Sequence, residues 1–389
     1  MFPSAGRVRS VFLSRVKPVP ILLMTYDLRF GGAERQLSEA ALYLDRSRFS
    51  PHIACIRMQG GCRAELERKG LPLVEFSFRS FASWQALAAA SRLRTYLRRH
   101  RIRLVHSFDV PATLFAVPVA AACRIPVVLS SQRAYRELTP GASGRLLRLT
   151  DLLVDGTVVN SANLRQHLIK HDGLKAARLA LVNNSIDVER FAPVSEPSPE
   201  RAEVLAGCSL VIGSTAMLRP EKGVATLVEA FASLARKATA AGLLLVGGGP
   251  LQVRLEARIR ELGLEDRVYF AGPVTDVLPW LRRMDIFVLP SLSEALSNSL
   301  LEAMSVGCPA VASQTGGNPE LVREGQTGYL FQPGDAADLT GKLQLLVQDP
   351  ALRARLAAAG RAFIAQNFSR ERSLGLLSDL YTRYLERQN

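Results

Sequence analysis

The sequence predicts an α/β protein built from two doubly wound, Rossmann-like domains that face each other across a cleft. Three observations predict it. Short apolar runs alternate with helix-patterned segments along the whole chain. Its 389 residues are more than one ordinary core holds. A stretch with three prolines, PVSEPSPERAE from Pro193 to Glu203, divides the chain near its middle.

Seven apolar runs precede that break, at 19–25, 51–56, 73–77, 103–107, 126–131, 155–159 and 179–182. Six follow it, at 210–216, 242–247, 267–271, 285–290, 309–313 and 328–330. Helical patterning lies between them, as at 33–44, 84–100, 161–171, 224–238, 251–263 and 298–306. Parallel sheets covered on both faces produce this alternation. The expected organisation is a flexible basic arm at 1–18, a first domain at 19–192, a linker at 193–204, a second domain at 205–369 and a closing helix at 370–389. That helix carries Leu374, Leu377, Leu380, Tyr381 and Tyr384 at helical spacing and is expected to pack back toward the first domain. Ligands of doubly wound sheets bind outside the carboxyl ends of the strands, so the cleft is the expected site.

Apolar content of 48% and charged content of 22% belong to a globular chain, not a disordered one. The apolar stretch from Val110 to Cys123 is too short to span a bilayer. The five cysteines are scattered without metal-ligand spacing, which reads as reduced thiols in a cytoplasmic protein with no metal or other cofactor. Residues 1–190 hold 29 Lys+Arg against 14 Asp+Glu, whereas residues 191–389 hold 20 against 21. The excess positive charge therefore lies in the first half, densest at Arg92, Arg94, Arg98, Arg99, Arg101 and Arg103. It is either a solvated face or a surface for an anionic membrane or a phosphorylated acceptor. No nucleic-acid motif accompanies it, and nucleic acid is not an expected partner.

Four places carry residues able to do chemistry. Gly31-Gly32 precede a helix whose N-terminal amides can face an anion. His106 and Asp109 follow a strand end, where acid–base work or a sugar hydroxyl is reachable. Arg219 and Lys222 sit three apart on a loop and could grip adjacent phosphates. Glu294 lies in a loop, and Glu302 eight positions later interrupts the apolar pattern of the following helix. Ser297 or Asn298 can cap that helix, so the amides of Asn298, Ser299 and Leu300 are expected to face a ligand. Gly316-Gly317 closes the segment.

The ordered set Gly-Gly-Ala-Glu-Arg, His106, Asn183-Asn184-Ser185-Ile186-Asp187, Arg-Pro-Glu-Lys-Gly, Val246-Gly247-Gly248-Gly249-Pro250 and Glu-x7-Glu resembles the retaining glycosyltransferases of family 4, of GT-B fold. The resemblance covers nearly the whole chain. It implies transfer of a sugar from a nucleotide-diphosphate sugar to a glycan or lipid-linked acceptor, in bacterial cell-surface or exopolysaccharide synthesis, without a metal. It assigns Arg219 and Lys222 to the diphosphate, Glu302 to the ribose, Glu294 to the donor sugar, and Gly31 and Gly32 to close approach at the donor phosphates. Met217 stands where many relatives carry an arginine, and Phe108 where many carry a second histidine. Two other readings compete: a nucleotide-sugar epimerase or hydrolase of the same fold, and a non-catalytic relative that binds membrane or nucleic acid. A dinucleotide oxidoreductase is disfavoured, because no G-x-G-x-x-G follows the first strand. The expected location is cytoplasmic, with peripheral attachment to the inner membrane face.

Overall fold

The computed structural model describes residues 17–29, 31–139, 141–193, 205, 207–236 and 240–388. The expected basic arm and linker lie outside the described residues, apart from Lys17, Pro18 and Pro193.

The first sheet comprises β1 (Val19–Thr25), β2 (Phe49–Cys55), β3 (Leu73–Glu75), β4 (Leu104–Ser107), β5 (Val127–Gln132), β6 (Gly156–Val159) and β7 (Leu179–Leu181). Its helices are α1 (Gly32–Tyr43), α2 (Arg63–Arg68), α3 (Trp84–Arg99), α4 (Val110–Ala122), α5 (Ala142–Thr150) and α6 (Ala162–Lys170). The second sheet comprises β8 (Leu210–Thr215), β9 (Ala241–Val246), β10 (Val268–Gly272), β11 (Ile286–Leu289), β12 (Ala310–Ser313) and β13 (Gly328–Phe331). Between and after these run α7 (Val224–Ala235), α8 (Gln252–Glu261), α9 (Leu278–Leu281), α10 (Asn298–Ser305), α11 (Asn318–Leu321), α12 (Ala336–Gln348), α13 (Pro350–Phe368) and α14 (Arg370–Glu386).

All thirteen expected strands are present. The sheet orders are β3-β2-β1-β4-β5-β6-β7 and β10-β9-β8-β11-β12-β13, parallel throughout. Central strands such as Ile21–Met24 and Ile286–Leu289 are buried on both faces, which is why they read as unbroken aliphatic runs. Each sheet reverses its winding once, between β1 and β4 and between β8 and β11. A crevice opens at such switch points, and Gly31-Gly32, Asp109, Lys222 and Glu294 each follow one of these four strands, with His106 inside β4.

The run 110–123, read in the sequence only as an apolar stretch, folds as α4. It is apolar nearly all round because it packs between α3 and α5. At the other end of the chain, α14 leaves the second domain and buries Leu374, Leu377, Leu380 and Tyr381 in the core of the first, beside β1 and α1. The return is fixed by a bridge between Ile186 and Ser369, and by Arg370 paired with both Glu39 and Asp187.

Candidate functional site

The second domain contributes two loops that meet. The loop after β8 carries Lys222 and turns at Gly223, whose φ of +61° and contact with the Pro290 carbonyl exclude a side chain. This close approach brings Lys222 Nζ to 2.7 Å from Glu294 Oε2, in the loop after β11. Ser291 Oγ donates to the same carboxylate oxygen at 3.1 Å. Beneath them, Gly316 has a φ of +52°, and a side chain there would collide with the Glu294 carbonyl. The glycine pair is thus what lets the loop after β12 pass under Glu294. Arg219 does not join the pair. It is exposed, with its nearest carboxylate, Glu221, 4.0 Å away.

The N-terminus of α10 lies next to this pair. Ser297 caps the helix by accepting from the Leu300 amide at 3.3 Å. That amide is therefore occupied, contrary to the expectation that it faces a ligand. The amides of Asn298 and Ser299, in the first turn, have no intrahelical acceptor. The Asn298 side chain accepts from Asn184 Nδ2 at 2.8 Å. Glu302, one turn further, is buried and forms an ion pair with Arg35 of α1. The carboxylate expected on ribose hydroxyls is here held by a guanidinium from the opposite domain.

The first domain supplies the facing wall. Gly32 opens α1 close to Asn298 across the cleft. Glu34 folds back over Gly31, and burial raises its carboxyl to about 7. Arg133, just after β5, stacks its guanidinium 5.3 Å from the Phe108 ring centre and donates to Asn184 Oδ1 at 2.8 Å. Its surroundings lower that guanidinium to about 10, chiefly through desolvation.

Two expected site residues are structural instead. His106 is fully buried, with Nδ1 2.6 Å from the Tyr381 hydroxyl and Nε2 2.9 Å from Ser131 Oγ. Desolvation first, and Arg133 second, hold its pKa well below the usual imidazole value, so it is neutral and has no free nitrogen for a substrate. Asp109 is the N-cap of α4. It accepts from the amides of Ala112 and Tyr26 and from Thr25 Oγ1. With three donors satisfied inside the domain, it is not placed for acid–base work in the cleft.

Comparison with known proteins falls on both halves. The profile of Glycosyltransferase Family 4 matches residues 30–190, and that of Glycosyl transferases group 1 matches residues 200–363. The chain belongs to this family. The Sulfoquinovosyl transferase SQD2 of Arabidopsis thaliana is 28% identical over 71% of this chain and 56% of its own length. The D-inositol 3-phosphate glycosyltransferase of Streptomyces scabiei is 27% identical over 70% of this chain and 64% of its own. The chain thus spans between half and two thirds of the length of these curated relatives. Among solved structures, Anabaena HepE in complex with UDP and glucose superposes with a TM-score of 0.83 at 22% identity, covering 93% of this chain and 99% of that one. The sucrose-phosphate synthase of Thermosynechococcus elongatus gives 0.78 at 19% identity, covering 95% and 100%. The fold is GT-B.

In this glycosyltransferase-family chain several cross-cleft contacts are not visible in the sequence, even where the residues stand in its motifs. Asn184 bridges Arg133 on one side to Asn298 and the Leu296 carbonyl on the other. Glu320 of α11 caps α6 of the first domain, accepting from the amides of Ala162 and Asn163 at 3.0 and 2.9 Å. Arg35 stood inside the quoted Gly-Gly-Ala-Glu-Arg motif, but its partner lies 267 positions away and no local signal names it.

Proposed function

We propose that the chain is a retaining glycosyltransferase that moves a sugar from a nucleotide-diphosphate sugar to a glycan or lipid-linked acceptor. Cell-surface or exopolysaccharide synthesis in a bacterium is the setting. The observation that carries this reading is the Lys222–Glu294 pair beside the capped N-terminus of α10, facing Gly31-Gly32 across the cleft. A departing nucleoside diphosphate gathers negative charge. Lys222 and the amides of Asn298 and Ser299 are the groups that offset it, so the chemistry needs no metal. Arg219, exposed on the same loop, joins them only if it swings inward.

Glu294 is the acid nearest that cation. In same-face transfer it orients the donor sugar while the leaving phosphate takes the acceptor proton. In a double displacement it would be the nucleophile. Glu302 reaches ribose hydroxyls if the bound ligand displaces Arg35, and otherwise it ties the domains together. Solved neighbours carrying UDP and UDP-glucose favour a uridine donor. An epimerase or hydrolase of the same fold is the competing reading, and the acceptor requirement separates them. The deciding experiment is a thermal-shift panel of UDP-, GDP- and ADP-sugars, followed by product analysis with and without acceptor. Stabilisation by one donor class and sugar release dependent on acceptor support transfer. Sugar release at full rate without acceptor sinks it.

A further inference from the structure

The α3–α4–α5 layer of the first domain carries charge and apolar surface that the proposed transfer does not use. From residue 76 to residue 154 the chain holds twelve arginines, of which Arg133 lines the cleft and Arg136 pairs with Asp151, and three acids. All three acids are engaged: Asp109 caps α4, Glu137 lies 2.8 Å from His167 Nε2, and Asp151 lies 2.8 Å from Arg136. Arg92, Arg94, Arg98 and Arg99 stand exposed along α3.

The apolar surface lies on α5 and the turn after it. Its inward positions are Leu147, Thr150 and Val154. Its outward positions are Leu146, Leu149, Leu152 and Leu153, which are 50%, 59%, 75% and 45% exposed. The helix turns more leucine toward solvent than toward its own core, the reverse of an ordinary surface helix. Arg145 and Arg148 flank this stripe. The carboxylate paired with Arg148 is Asp172 at 3.7 Å, and Arg145 has no ion pair among the described residues. On the other flank of α4, Trp84 and Leu87 open α3 at 76% and 75% exposure.

We propose that this face docks on an anionic lipid surface, with the α5 leucines in the headgroup–acyl boundary and the arginines on lipid phosphates. Charge complementarity selects the occupant. A leucine stripe edged by arginine, with no free acid beside it, is the pattern of an interfacial helix. The exposed Trp84 is of the residue type found at headgroup level. The inference deepens the transfer reading, on which it rests only for the acceptor: a lipid-linked acceptor would be met at the surface the first domain lies on.

The test uses the full chain, sedimented with vesicles of phosphatidylcholine alone and with about 30% phosphatidylglycerol. Binding to the anionic vesicles is expected to be at least about tenfold tighter. The double variant Leu149→Asn/Leu152→Asn is expected to lose about tenfold of it, with melting temperature and UDP-sugar binding unchanged. Equal partition into both vesicle types, or unchanged binding by the double variant, overturns the proposal. A wild type that is dimeric by light scattering and a double variant that is monomeric also overturns it, assigning the face to a second copy. Donor binding is read separately, so failure on vesicles leaves the transfer reading standing, and failure of transfer leaves the docking result standing.

Discussion

Lys222 Nζ lies 2.7 Å from Glu294 Oε2, joining loops that follow two different strands of the second sheet. In the proposed transfer a bound diphosphate would compete with Glu294 for that ammonium. Under the proposed transfer, Lys222→Ala is expected to lower kcat/KM by about 100-fold or more, since it removes the cation assigned there to offset leaving-group charge. The side chains are still partly solvated, so the melting temperature should change little. A variant that unfolds, or one that transfers at the wild-type rate, contradicts this assignment.

Arg35 and Glu302 should behave differently, because Glu302 is buried, Arg35 is half-buried, and the pair spans the two domains. Arg35→Ala leaves a buried carboxylate without its counter-charge and is expected to destabilise the chain by about 3 kcal/mol. Arg35→Ala combined with Glu302→Gln should recover part of that loss, since no uncompensated charge then remains. Urea unfolding of the single and double variants measures the coupling. Additive losses would show that the pair contributes no interaction energy.

The strands and the second-domain loops were legible in the sequence, and the first-domain wall was legible only at Gly31-Gly32. Strands of a parallel sheet bury both faces, so β1 and β11 announce themselves as aliphatic runs whatever lies around them. That Lys222 and Glu294 lie in loops was legible from the apolar strands before them; that the two loops meet was not, because the approach depends on Gly223 packing against the Pro290 carbonyl. His106 misled because it lies inside the buried strand β4, near its carboxyl end, where the sequence looks the same for a catalytic and a structural imidazole. What decides between them is Tyr381, 275 residues later on α14. Asp109 misled for a more local reason. The apolar run after it has no polar face to mark it as a helix, so nothing in the sequence shows Asp109 as the N-cap of α4.

His106→Ala is accordingly expected to act on stability, not chemistry. It leaves the Tyr381 and Ser131 hydroxyls unpaired in the core beside a cavity, a loss of about 2–4 kcal/mol. The fraction that remains folded at low temperature should retain kcat within a few-fold. His106→Gln, which keeps one polar atom near Tyr381, should lose less stability. A fully folded His106→Ala protein with abolished turnover would return the histidine to the catalytic list.

Glu34 gives a pH dependence whose direction follows from its burial. Desolvation is the largest cause of its shift, and it raises the carboxyl from 4.5 to about 7. Between those values the folded chain holds a proton that the unfolded chain has released, so stability falls as pH rises across that window. Below about 4.5 both states are protonated and Glu34 costs nothing; above about 7 the full penalty of a buried charge applies. A shift of this size corresponds to about 3 kcal/mol, and the residual solvent contact of the side chain reduces that to about 2 kcal/mol. Glu34→Gln removes the titration while keeping the shape. The variant should match the wild type at pH 4.5 and exceed it by about 2 kcal/mol at pH 8, as read from paired urea titrations. Because the comparison is a difference between two chains, the titration of every other group cancels to first order. A constant offset between the two proteins from pH 4.5 to pH 8 would mean that Glu34 is already charged in the fold.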